Sequence, residues 1–134
     1  MNPGGVMLKI HNPPTLAKPA SSYSHAVEIP AGARLLFVAG QVGVRIDGTV
    51  EQGFEAQCEQ AWRNLQLALQ AGRMDLADLV RINYYLLDRA DVATSRKVRE
   101  RFIEGTPPAS TLCVVKSLAS PAWLFEIEAV AAKV

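Results

Sequence analysis

The stretch FEAQCEQAWRNLQLALQAG, residues 54–72, decides the fold. Phe54, Cys58, Ala61, Trp62, Leu65, Ala68 and Leu69 recur at three- and four-residue spacing, which makes one apolar stripe on a helix. Gln57, Glu59, Gln60, Arg63 and Gln70 fall largely outside that stripe, and Gly72 stands where a helix would stop. The spacing predicts a helix within residues 51–71 that must bury one face against a partner layer.

The segments around it supply that layer. LVRINYYLL (79–87) is rich in β-branched and aromatic residues and predicts a central strand. LLFVAGQVGV (35–44) is a nearly continuous apolar run whose two glycines suggest a bulge or a close backbone approach. Further strands are expected over 7–11, 25–29, 109–116 and 124–134, and Asp47-Gly48 marks a turn. A second helix is expected over about 92–104, capped by Asp88 or Asp91 and ended by Gly105. Val92, Ser95, Val98, Phe102 and Ile103 make its inner face, and Arg96, Lys97, Arg99 and Arg101 mostly its solvated side.

The order is β-β-β-α-β-α-β-β. Two helices cannot cover both faces of a six-stranded sheet, so they are expected to share one face of an α+β fold. In the final strand, Phe125, Ile127, Ala129 and Ala131 alternate with Glu126, Glu128, Val130 and Ala132. Apolar residues thus lie on both faces, which favours a homo-oligomer that packs sheet faces together.

The 134 residues suit a single domain spanning 1–134. A chain of that size buries roughly two-thirds of its unfolded surface without a disulfide or metal staple. Fourteen basic and 13 acidic side chains leave a net charge of +1, which argues against a general nucleic-acid binder. Cys58 and Cys113 are too few for a disulfide framework and are expected to be buried thiols of a reducing compartment. No apolar run has signal-peptide or membrane-span length, so a soluble, cytoplasmic chain is expected.

Chemistry-bearing motifs are sparse. His11 and His25 are the only histidines and have no metal-site spacing; no metal is expected. There is no nucleophile elbow, phosphate loop or dinucleotide fingerprint. Ser110 and Thr111, in TPPASTLCVV (106–115), have no local partner that would make either a nucleophile. Glu126 lies in a strand, where a carboxylate needs water or a partner. Either Glu126 or Glu128 makes an inter-subunit ion pair, or Glu126 is a cleft carboxylate with a raised pKa, fit for acid–base work. Tyr23 is either a half-buried packing residue or a site hydroxyl. Gly40 either eases a strand bend or lets a ligand approach the backbone.

Six separated pieces, YSHAV (23–27), FVAGQVG (37–43), WRNLQLALQAG (62–72), VRINYYLLD (80–88), PPAS (107–110) and WLFEIEAVA (123–131), occur in an order that resembles the RidA/YjgF family, also labelled the L-PSP endoribonuclease family. The resemblance spans about residues 19–132. It implies a chorismate-mutase-like subunit, a six-stranded mixed sheet with two helices on one face. It also implies a homotrimer with small-molecule clefts between subunits. Its best-known members hydrolyse enamines and imines to 2-keto acids and ammonia without a metal or organic cofactor.

In those members an arginine of a P-A-R motif binds the substrate carboxylate as a bidentate fork. That position is Ser110 here, and the frequent cysteine two residues on is Leu112. The serine of the family's S-G-Q piece is Ala39, and an asparagine of the second helix is Arg96. Tyr23 and Gly40 match cleft-lining positions, and Glu126 matches the glutamate that positions or activates water. The resemblance therefore implies Glu126 as the catalytic group, with Tyr23, Ala39, Gly40, Arg96, Ser110 and Leu112 around the substrate. One form of this reading has Arg96 swing into the cleft and replace the missing charge. An imine or enamine hydrolase with altered substrate choice is the expectation. A non-catalytic small-molecule binding or regulatory trimer is the alternative. An endoribonuclease comes third, because no aromatic cluster for stacking RNA bases accompanies the near-neutral charge.

Overall fold

The computed structural model describes residues 8–134. Strands form at Lys9–His11 (β1), Ala26–Glu28 (β2), Arg34–Val42 (β3), Leu79–Leu86 (β4), Ala109–Val114 (β5) and Phe125–Lys133 (β6). Helices form at Phe54–Ala71 (α1) and Val92–Arg99 (α2). The strand expected over 7–11 begins at Lys9, and Met7 lies outside the described residues.

The element order is the expected one, and the six strands divide four and two. The main sheet runs β3-β6-β4-β5, with β4 and β5 parallel and the other pairs antiparallel. β1 and β2 pair antiparallel as a separate ribbon, tied to β5 only by a bridge from Ser24 to Ala109. Pro107 and Pro108 explain the break: neither has an N–H, so no regular ladder continues past the start of β5. Ser24 takes what remains, its N–H donating to the Pro108 carbonyl (3.0 Å) and its hydroxyl to that of Pro107 (2.5 Å).

α1 packs across β3 and β6 and against α2, so both helices occupy the same face. Cys58, Ala61, Trp62, Leu65 and Leu69 are buried there against Val38, Ile82, Tyr84, Phe125 and Ile127. The Trp62 ring stacks on Phe102 at 5.5 Å and meets Tyr84 at 6.0 Å, tying the segment after α2 to the sheet through α1. Each large side chain so buried contributes about 1.5–3 kcal/mol. Among the described residues no element covers the other, bare sheet face, where Leu35 is 52% and Phe37 74% exposed.

α1 departs from its sequence pattern at one residue. Gln57 is buried although it lies beside the apolar stripe, because its amide satisfies three backbone groups. Nε2 donates to the carbonyls of Glu51 (3.1 Å) and Ala122 (2.9 Å), and Oε1 accepts from Leu124 N–H (2.8 Å). The chain entering α1 is thereby tied to the loop entering β6. Gly43 makes this possible, since a β-carbon there would lie 2.5 Å from the Gln57 Cα.

α2 ends at Arg99, short of 104, and its last turn loosens into bonds from Arg101 to Val98 and from Phe102 to Arg99. Arg99 is 7% exposed, not solvated. Residues 95, 98, 99 and 102 follow the i, i+3, i+4, i+7 spacing of the inner face, which carries the arginine inward with its neighbours. Cys113 also differs from expectation: it is exposed, because its odd position on β5 points away from the helices.

The Gly43–Gln57 contact gives a direct test. Gly43→Ala should drive α1 off β3 and destabilise the fold by about 1–3 kcal/mol. Urea unfolding would show this as a lowered midpoint with an unchanged slope.

Candidate functional site

The period of β6 sorts its side chains. Phe125, Ile127, Ala129 and Ala131 face the helices and are buried, whereas Glu126, Glu128 and Val130 face the bare side. Register then sets their neighbours: Glu126 lies between Val42 of β3 and Tyr85 of β4, and Glu128 lies opposite Asn83.

On the β3 side the ladder slips between Val38 and Gln41, so Ala39 and Gly40 form a bulge. A β-carbon at Gly40 would collide with the Glu126 carboxylate. Gly40 leaves the space in which that side chain lies over the bulge. Bulges of this kind re-aim side chains beside functional sites.

The carboxylates differ in surroundings. Glu128 Oε1 accepts from the Tyr85 hydroxyl (2.9 Å) and from Asn83 Nδ2 (3.0 Å). Donation to that carboxylate raises the Tyr85 phenol above its ordinary pKa. Burial, reinforced by the negative charge of Glu128, raises the Glu126 carboxyl above the usual glutamate value. Glu126 is therefore suited to exchange a proton nearer neutrality than an exposed glutamate would.

The other sequence-predicted residues lie elsewhere. Ser110 and Leu112 are even positions of β5, opposite Ile82 and the buried Tyr84, so they take the helix-side face of the sheet. Tyr23 packs edge-on against His25, with ring centroids 5.7 Å apart. It also lines a cavity of about 410 Å³ with Lys18, Ser22, Ser24, Glu100 and Pro107. Arg96 is exposed on α2. A larger groove of about 940 Å³, passing Leu79, Phe102 and Pro108, contains none of the sequence-predicted residues.

The structure thus brings Ala39, Gly40 and Glu126 together on the bare face. Tyr23, Ser110 and Leu112 sit at the β5 edge on the helix side. Asn83 and Tyr85 were missed in the sequence, and Glu128 was considered there only for an ion pair, although its two-residue spacing from Glu126 places both on one face. Cys58 offers no nucleophile, since burial pushes its thiol up to about 12. Among the described residues no three His, Cys, Asp or Glu side chains group as metal ligands. No helix described is long and apolar enough to cross a membrane.

The environment of Glu126 has a consequence for stability. Its folded-state pKa is raised, so the protonated form is favoured on folding, and that contribution is lost as pH rises through the folded pKa. Glu126→Gln should be more stable than wild type at pH 7, with the gap closing below the ordinary glutamate value of 4.5. Urea midpoints across pH 4–8 measure it; a gap that does not widen with pH would contradict the desolvated carboxyl.

Comparison with known proteins identifies the family and the fold. The family profile described as endoribonuclease L-PSP matches residues 14–133. A RutC family protein of Pyrococcus horikoshii is 30% identical over 87% of this chain and 90% of its own. The 2-iminobutanoate/2-iminopropanoate deaminase of Dermatophagoides farinae is 25% identical over 91% and 94%. The crystal structure of YyfB, a Rid family protein of unknown function from Yersinia pestis, superposes with a TM-score of 0.84. It is 33% identical and covers 92% of this chain and 97% of its own. The chain has the chorismate-mutase-like α+β fold, and it belongs to the RidA/YjgF family.

Proposed function

We propose that the chain works as a homotrimeric imine or enamine hydrolase whose sites lie between subunits. The observation that carries this reading is Glu126, a carboxyl with a raised pKa that lies over a bulge where Gly40 leaves it room. The bare apolar face with Leu35 and Phe37 supports self-association. The sheet separates Glu126 and Gly40 from Ser110 and Tyr23, so one copy alone does not join the two groups. A second copy that sets its β5 edge against the Glu126 face would join them.

In such a cleft Glu126 as carboxylate takes a proton from water while the water oxygen bonds to the imine carbon. The imine enters protonated, so the C=N electron pair moves to nitrogen and leaves a neutral amine. Glu126 as carboxylic acid then returns its proton to that nitrogen, the C–N bond breaks, ammonia leaves, and the hydroxyl proton passes to the Glu126 carboxylate and on to solvent, which gives the carbonyl. Ser110 alters what is bound: one hydroxyl offers no charge and no fork for a carboxylate. The substrate is accordingly an imine whose recognition does not depend on an arginine at that position. Arg96, exposed on α2, is the candidate replacement if the substrate is anionic.

The loss of the fork is also the specific observation behind the second reading, a non-catalytic trimer that binds a neutral small molecule. One assay separates the two. Imines are generated in situ from a 2-imino acid precursor and from an uncharged one, and ammonia and carbonyl release are followed. Hydrolysis should exceed the uncatalysed rate, favour the uncharged imine, and fall about 100-fold or more in Glu126→Gln. No acceleration with either imine, combined with saturable thermal stabilisation by neutral compounds, would replace the hydrolase with the binding protein. Activity on the 2-imino acid that survives Arg96→Ala removes Arg96 from the site.

A further inference from the structure

Glu128 has no role in the hydrolysis described above, yet it is the better anchored of the two carboxylates. Its partner Asn83 is the directly opposed residue on β4. Tyr85 is directly opposed to Glu126, but its hydroxyl reaches diagonally to Glu128 instead. Both donors converge on one oxygen, Oε1, at 3.0 and 2.9 Å. β4 thus spends both of its polar side chains beside the pair on Glu128 and gives Glu126 none among the described residues.

Two like charges on one strand face, two residues apart, repel each other and resist joint ionisation. Hydrogen bonds to a carboxylate favour its charged form. Environments that push two neighbouring carboxyls apart assign one as the fixed anion and the other as the proton carrier. Among the described residues the groups facing Glu126 are Glu128 from β6, Tyr85 from β4 and, beyond Tyr85, Cys113 from β5, with Arg81 of β4 farther along the same face opposite Val130. β3 contributes only the uncharged Ala39, Gly40 and Val42.

We propose that Glu128, clamped by Tyr85 and Asn83, is a positioning residue: a fixed anion that keeps Glu126 the proton carrier of the pair. It acts on the substrate only through Glu126. The proposal rests on the hydrolase reading for its purpose, but the electrostatic relation can be measured without any turnover.

The experiment is a pH titration of the glutamate side-chain carboxyl carbons by ¹³C NMR, with Glu126→Gln used to assign the pair. In wild type, Glu126 should titrate above the ordinary glutamate value. In Glu128→Gln its midpoint should fall by roughly half a pH unit or more. Tyr85→Phe, which leaves Glu128 in place but removes one clamp, should shift it in the same direction by less, and it serves as the test if Glu128→Gln does not fold. If the hydrolase reading holds, the acid limb of the pH–rate profile should move down with the midpoint. Shifted midpoints without hydrolysis would sink the hydrolase and leave the clamp standing. A Glu126 midpoint unchanged in Glu128→Gln, or unchanged in Tyr85→Phe where only that variant folds, overturns the proposal.

Discussion

The alternation of β6 is the constraint on which the rest depends. This strand lies inside the sheet, between β3 and β4, so both of its edges are hydrogen-bonded and its register is fixed twice. Its odd residues complete the core under α1, and its even residues carry two carboxylates to the bare face. A slip of one residue would bury Glu126 and Glu128 and expose Phe125 and Ile127, at a cost no local adjustment could offset. The apolar half of the strand therefore fixes the position of its acidic half. Stability and chemistry are set by one pattern.

The sheet also acts as a partition. Glu126 and Ser110 face opposite ways, and the strand pairing allows no rearrangement within one chain that would bring them together. The uncovered Leu35 and Phe37 lie on the Glu126 side. Association that hides those side chains would also enclose the carboxylates, strengthening every electrostatic interaction around them. Burial of apolar surface and construction of a reactive site are then one event.

Much of the architecture was legible in the sequence. The 3.6-residue period of 54–71, Gly72 at its end and the alternation in β6 depend on local spacing, and each appears where expected. Glu126 and Gly40 were singled out separately, and their contact is visible only in three dimensions. What stayed hidden depends on register between distant strands. Asn83 and Tyr85 look like ordinary strand residues until pairing sets them beside Glu128. Gln57 looked like a solvated helix residue because its backbone partners, at Glu51, Ala122 and Leu124, are loop atoms that no period encodes. Arg99 was assigned by its charge and placed by its helical position. Cys113 was judged by its apolar neighbours, although strand parity turned it outward.

The central claim is that a working site needs opposite sheet faces from two copies, and subunit mixing tests it most directly. Glu126→Gln removes the carboxylate from one face, and Ser110→Trp blocks the β5 edge of the other. Each variant alone should fail to hydrolyse an imine. Unfolded together and refolded as mixed trimers, they should recover activity approaching about one quarter of wild type, the share of sites that draw an intact half from each parent. Mixed trimers that remain as inactive as their parents would contradict a shared site.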